Sequence, residues 1–383
     1  MRDASVYVHF PWCLQKCPYC DFASGSITRD QVPHRAYADA VLRELEWRAA
    51  EVSDRRLVSV FFGGGTPSLW DPRELGRVLA AARAAFGSEV DDLEVTVECN
   101  PSSLGRARAA ALRQAGVGRL SIGVQSLDDA RLRFLGRMHD AVGALRAVRE
   151  AVAEIPRVSG DLMFGMPGQT LDSLRDEATR LLETGIRHVS AYSLTIEPGT
   201  QFGELHRKGR LPMATDDDFA DLFIGLEQHL GTRGLGHYEV SNYSLPGEEA
   251  RHNLHYWAGG AYLGLGAAAV GCLDQSGALS GRWRNDPDPA RYLEQSATRA
   301  VETFEETLGP TELVREALML GLRTRIGVDL DALASRTGQD PRLTRAQPLA
   351  QHLTRGNLTL DGPLLRIPPT RWLLSDPIIS SLF

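Results

Sequence analysis

An apolar, β-rich run followed by an amphipathic helical one recurs six times along this chain, and that alternation constrains the fold more than any other feature. The strand-like runs are SVYVHF, LVSVFF, LEVTVE, RLSIGVQ, VSGDLMF and HVSAYSLTI; the helical ones include YADAVLRELEWRAAEV, ELGRVLAAARAAF, LDSLRDEATRLLETG and DDDFADLFIGLEQHL. Strand–helix alternation predicts a parallel sheet with crossover helices. Six units fall short of the eight that close a barrel, so the expected class is α/β with an open, partial (β/α)6 barrel. In such folds the C-terminal strand ends converge on one face and carry the chemistry. Five of them hold useful residues here. The first runs into a cysteine loop, the second into GGGTP, the third into Glu98 and the fourth into Gln125, while the fifth holds Asp161 just before FGMPGQT.

The cysteines narrow the reading. Three of the five, Cys13, Cys17 and Cys20, crowd into HFPWCLQKCPYCDFAS. No segment approaches the ~18 apolar residues of a membrane span, and the chain opens directly on a strand without a secretory leader. The expected location is therefore cytoplasmic. In that reducing setting an odd, uneven set of cysteines argues for metal or catalytic chemistry rather than a disulfide framework. A formal charge of -7 gives no electrostatic reason to expect a nucleic-acid partner. The C-x3-C-x2-C spacing suits a four-iron, four-sulfur cluster with one iron left open, which the amino and carboxylate groups of S-adenosylmethionine can chelate. The alternative is a zinc site, which takes four ligands in two paired halves; no second half lies nearby in the sequence.

With YVHFPWCLQKCPYC the chain resembles the radical S-adenosylmethionine superfamily, in the branch of oxygen-independent coproporphyrinogen III oxidases. The resemblance implies a [4Fe–4S] cluster on Cys13, Cys17 and Cys20. It implies S-adenosylmethionine contacts from Tyr7, Tyr19, Gly64, Gly65, Thr66, Glu98, Gln125, Arg137 and Asp161. Glu98 and Asp161 suit ribose hydroxyls or a cationic amine, and Arg137 a carboxylate. Two departures from the oxidases stand out. The oxidases carry a further cysteine where this chain has Phe22, and a longer N-terminal extension. Both fit the sister group of heme chaperones, which implies heme as ligand and acceptor hemoproteins as partners, with porphyrin-decarboxylating oxidase as the alternative. A third reading, a radical methylase or RNA-modifying enzyme, is disfavoured by the acidic charge.

RHNLHYWAGGAYLGLGAAAVG supplies the pattern H-N-x-x-Y-W, similar to one in the chaperone group, which makes His252 the heme-ligand candidate; His255, His237 and Cys272 remain alternatives. Cys99 and Cys272 read as core thiols, and Met163 and Met166 as packing. Proline and aspartate in RWRNDPDPARY signal a break. Past it, TELVREALMLGLRTR reads as a helix, and Asp361-Gly362 between apolar residues as a hairpin turn. The expected organisation is a barrel over 1–235, a barrel extension and linker over 236–310, and a small winged-helix-like α+β domain over 311–383. With no basic stripe, that last unit reads as an intrachain cover or protein contact. Peripheral membrane association and a homodimer stay open.

Overall fold

The computed structural model describes residues 2–275, 278–299 and 301–383. Six strands, β1 (Arg2–Phe10), β2 (Arg55–Gly64), β3 (Ser88–Cys99), β4 (Arg119–Gln125), β5 (Arg157–Phe164) and β6 (His188–Ser193), lie side by side in chain order, each parallel to the next. This is the expected open α/β barrel. Helices α1 (His34–Val52), α2 (Pro72–Ala85), α3 (Arg106–Gln114), α4 (Asp129–Phe134), α5 (Ala141–Val152) and α6 (Leu171–Leu182) make the crossovers. Alternation along each strand sends one set of side chains outward under the helices and the other inward. In β4, Leu120, Ile122 and Val124 are buried under the helical layer, while Arg119, Ser121 and Gln125 line the inner cavity.

Local signals fix where the helices begin. The Asp71 carboxylate accepts from the Arg73 N–H ahead of Pro72, and Thr170 and Ser173 form a reciprocal capping box on α6. Beyond β6 come α7 (Gln201–Arg207) and α8 (Asp216–Thr232), whose first turn carries Asp216, Asp217 and Asp218 against the positive end of the helix dipole.

The sheet continues past the six units on both sides, which the repeat did not announce. The hairpin β7 (Gly236–Glu239) and β8 (Asn242–Ser244) pairs antiparallel to β6. After α9 (Arg251–Trp257), β9 (Ala261–Leu265) adds parallel to β1, followed by antiparallel β10 (Val270–Asp274), β11 (Ser280–Asn285) and β12 (Glu302–Leu308). Twelve strands result, with α10 (Pro289–Gln295) between the last two.

Helices α11 (Pro310–Gly321) and α12 (Leu330–Thr337) lead to a three-stranded sheet of Val328–Asp329, Leu364–Arg366 and Thr359–Asp361. Its hairpin turns at Gly362, with φ of 56°. This unit covers an edge: the Arg325 N–H donates to the Tyr238 carbonyl at 2.9 Å, the Val240 N–H to the Arg323 carbonyl at 2.9 Å, and Trp372 meets the His237 ring edge-on at 4.2 Å. An exposed strand edge invites pairing with other chains, and this contact removes one.

Candidate functional site

The strand ends converge on a cavity of about 450 Å³, lined by residues from all six barrel strands or their loops. Cys13, Cys17 and Cys20 form one wall, each half-buried. The Thr66 hydroxyl donates to Cys13 Sγ at 3.3 Å, and Arg137 Nη1 to Cys17 Sγ at 3.6 Å. Burial raises the pKa of the Cys13 thiol, and the Thr66 bond opposes that rise. Among the described residues no three His, Cys, Asp or Glu side chains converge as they would on a single metal ion. The thiols nevertheless share one cavity wall, a donor set of soft ligands suited to an iron–sulfur cluster.

The GGGTP loop lies flush against the cysteine loop. Gly64 has φ of 106°, and a Cβ on Gly65 would sit 2.5 Å from the Trp12 carbonyl oxygen, so the close approach requires glycine. The N–H groups here are already used: Gly64 donates to Glu98 Oε2 at 3.1 Å, Gly65 to the Phe10 carbonyl at 2.7 Å and Thr66 to the Trp12 carbonyl at 2.8 Å. The Gly64, Gly65 and Thr66 N–H groups are therefore not available to donate to a ligand.

Gln125 carries the clearest mark of a built site. A register shift between Gly123 and Gln125 bulges β4, and Gln125 adopts φ of 67°. Bulges beside active sites re-aim side chains, and a non-glycine residue at positive φ persists only where its surroundings hold it. Gln125 Oε1 is buried without a partner, as is Arg137 Nε, while Arg137 Nη2 donates to the Gly123 carbonyl at 2.7 Å. Burial works against the Arg137 charge, but Tyr19 and Cys17 beside it outweigh burial and raise its pKa.

Glu98 and Asp161 form the acidic side. Burial, then the proximity of Asp161, pushes Glu98 up to about 8. Asp161 is raised by burial, although Ser121 donates to it at 3.0 Å. Since native Glu98 keeps its proton to about 8 and an unfolded chain releases it near 4.5, the native state binds more protons across that window. Stability from this group thus falls as pH rises through it. Wild type is expected to lose stability relative to Glu98→Gln between those pH values in chemical denaturation. Identical pH profiles for the two proteins would contradict this.

Not every expected residue reaches the cavity. Tyr19 lines it, packed on Phe202. Tyr7 instead gives its hydroxyl to a 3.0 Å bond with His9 Nδ1 and stacks on Phe61, outside the lining set. His252 is 8% exposed, with Nδ1 2.9 Å from Ser59 Oγ and its ring stacked 4.9 Å from that of Phe61. Burial lowers its pKa to about 3. Its neighbour Asn253 is the one that lines the cavity. His255 Nε2 lies 2.8 Å from the Ala261 carbonyl, and His237 is buried between Tyr243 and Trp372. Cys99 is buried as expected, yet it borders the cavity, as does Met163. Sequence reasoning missed Phe61, Arg119, Ser190 and Tyr192 as lining residues. All four sit within strands at inward positions, so the alternation itself held the signal.

Comparison with known proteins agrees with this geometry. The Radical SAM superfamily profile matches residues 7–181, and the HemN C-terminal domain profile residues 308–374. The superfamily implies a [4Fe–4S] cluster and S-adenosylmethionine. The heme chaperone HemW of Mycobacterium tuberculosis is 35% identical over 386 residues, covering 98% of this chain and 94% of the relative. That of Haemophilus influenzae is 38% identical over 76% and 75%. Mouse radical S-adenosyl methionine domain-containing protein 1, mitochondrial, is 38% identical over 85% and 74%. The solved structure of Escherichia coli coproporphyrinogen III oxidase (HemN) superposes with a TM-score of 0.82 at 20% identity, covering 100% of this chain and 90% of that one. With a near full-length relative at this identity and three thiols on the wall of a barrel-mouth cavity, the chain belongs to the HemW family of radical S-adenosylmethionine proteins.

Proposed function

We propose that this protein is a heme chaperone: it binds heme and passes it to acceptor hemoproteins in the cytoplasm, on a scaffold that also holds a [4Fe–4S] cluster and S-adenosylmethionine. The observation that carries the reading is the 35% identity to a heme chaperone along 98% of the chain. In this reading Cys13, Cys17 and Cys20 hold the cluster. Glu98 and Asp161 face the cationic part of the nucleotide, Arg137 its carboxylate, and the free Gln125 Oε1 accepts from a hydroxyl or amine. The chemistry supplied when both cofactors are bound is one-electron cleavage of the sulfonium. The chain's own part is to orient the groups and to screen them from water with Tyr19 and Met163. No helix among the described residues is long and apolar enough to cross a membrane.

The oxidase reading has fold likeness in its favour. Against it stands Phe22, 57% exposed at the rim of the cavity where the oxidases carry a cysteine. Anaerobic incubation with coproporphyrinogen is expected to yield no vinyl product, while heme titration of the reconstituted protein gives saturable binding. Vinyl product, or no heme binding, reverses the ranking. With Nδ1 held by Ser59 and one ring face covered by Phe61, Nε2 is the atom through which His252 would ligate heme iron. Undiminished binding by His252→Ala removes that residue from the heme site.

A further inference from the structure

Arg119 opens β4, lines the cavity on the same face as Ser121 and Gln125, and is 3% exposed. Among the described residues its guanidinium makes no hydrogen bond, and its charge is balanced only at longer range, chiefly by Glu94. The acids around it make their hydrogen bonds elsewhere, even though the Arg119 charge is the first to stabilise the Glu94 carboxylate. Glu94 accepts from Arg157 Nη1 at 2.7 Å and from the His252 and Arg251 N–H groups at 2.9 and 3.1 Å. Asp161 accepts from Ser121 and Ser159, and Glu98 from the Gly64 N–H. Beside Arg119 in the sheet register, the Thr96 hydroxyl is buried with no partner.

A guanidinium with its donors unused in a cleft is costly to desolvate, and a ligand that accepts from them lowers that cost. A guanidinium presents a planar fork of donors that matches a carboxylate. One cation balances the single charge of a carboxylate, whereas a phosphate dianion leaves a charge uncompensated beside Glu98 and Asp161. Burial raises the pKa of both Glu98 and Asp161, which lessens the negative charge an entering anion meets.

We propose that Arg119 seats a ligand carboxylate at the floor of the barrel cavity. Two sources share that chemistry: a small free carboxylate, or a propionate arm of a tetrapyrrole, the second resting on the chaperone reading above. The test uses full-length, cluster-reconstituted protein. In thermal melting, propionate raises the midpoint while propionamide and inorganic phosphate do not. Arg119→Gln weakens propionate binding about tenfold or more, and Arg119→Lys recovers part of it. Propionate and propionamide acting alike, phosphate matching propionate, or full binding by Arg119→Gln would each overturn the proposal. The wild-type comparison of acid with amide decides even if Arg119→Gln fails to fold.

Heme and its dimethyl ester then separate the sources. Tighter binding of heme than of the ester assigns the seat to the propionate arm; equal binding with propionate still effective assigns it to a small carboxylate. Binding of neither tetrapyrrole alongside a propionate response sinks the chaperone reading and leaves the seat. Heme binding without any propionate response does the reverse.

Discussion

Replacing Cys17 by alanine is expected to leave a folded protein whose iron and sulfide fall to background and whose spectrum no longer responds to S-adenosylmethionine. The cubane needs thiolates on three irons before the fourth can be left open, and no other thiol is placed to substitute. Cys99, the nearest other candidate, is 7% exposed and its Sγ faces the Val97 carbonyl 3.6 Å away, inside the strand rather than on the loop. Cys17 also anchors Arg137 Nη1, so its loss frees a buried guanidinium next to the cavity and weakens the nucleotide site a second way. Cys272→Ser is the control, because Cys272 lies on β10 and pairs in register with Tyr262, away from the cysteine wall. Retention of full iron and sulfide by Cys17→Ala would move the cluster elsewhere and undo the assignment of the cavity. Equal loss in Cys272→Ser would point to general instability instead.

The six parallel strands were legible because each alternates a buried, apolar outer face with a short polar inner one, and because their turns carry glycine and capping residues. Strand bounds shifted by a few residues where the chain stays extended past its apolar run, as at Arg2–Phe10 and Ser88–Cys99. The cysteine wall and most of the cavity were legible too, since motif spacing and strand-end position point to the same place. What escaped was everything decided by distant partners. The extension expected over 236–310 had no visible place in the sheet, because β9 joins β1 across more than two hundred residues while β10 to β12 follow by local antiparallel pairing. His252 looked free in the sequence; only the fold shows that Ser59 and Phe61 occupy it. Arg119 opens a strand in the sequence, and only the inward register reveals that its donors face the cavity unused.

Glu44 shows the same limit most sharply, and it carries the largest expected effect on stability. On sequence grounds it is one more charge on an amphipathic helix. In the fold it is fully buried, accepting from Arg48 Nε at 3.1 Å, the Gly266 N–H at 2.9 Å, Asn285 Nδ2 at 2.8 Å and the Tyr292 hydroxyl at 2.6 Å. The last three belong to the sheet extension, so a single carboxylate ties α1 to β9–β11 and α10. Glu44→Ala strands those donors and removes a counter-ion from Arg48, itself 2% exposed. Breaking one side of a buried ionic network costs about 3–5 kcal/mol, which chemical denaturation resolves easily. Glu44→Gln keeps the shape and one acceptor, and is expected to cost less. The consequence reaches the cavity: Gly266 has φ of 96°, and a Cβ there would lie 2.6 Å from the His9 carbonyl oxygen, at the end of the strand that feeds the cysteine loop. Loosening the Gly266 turn thus loosens β1 where it enters that loop. Glu44→Ala should therefore lose its iron faster than wild type under a chelator, at temperatures where both remain folded. A loss of under about 1 kcal/mol, the size of an ordinary surface pair, would mean that solvent replaces the carboxylate and that the extension is held by apolar packing alone.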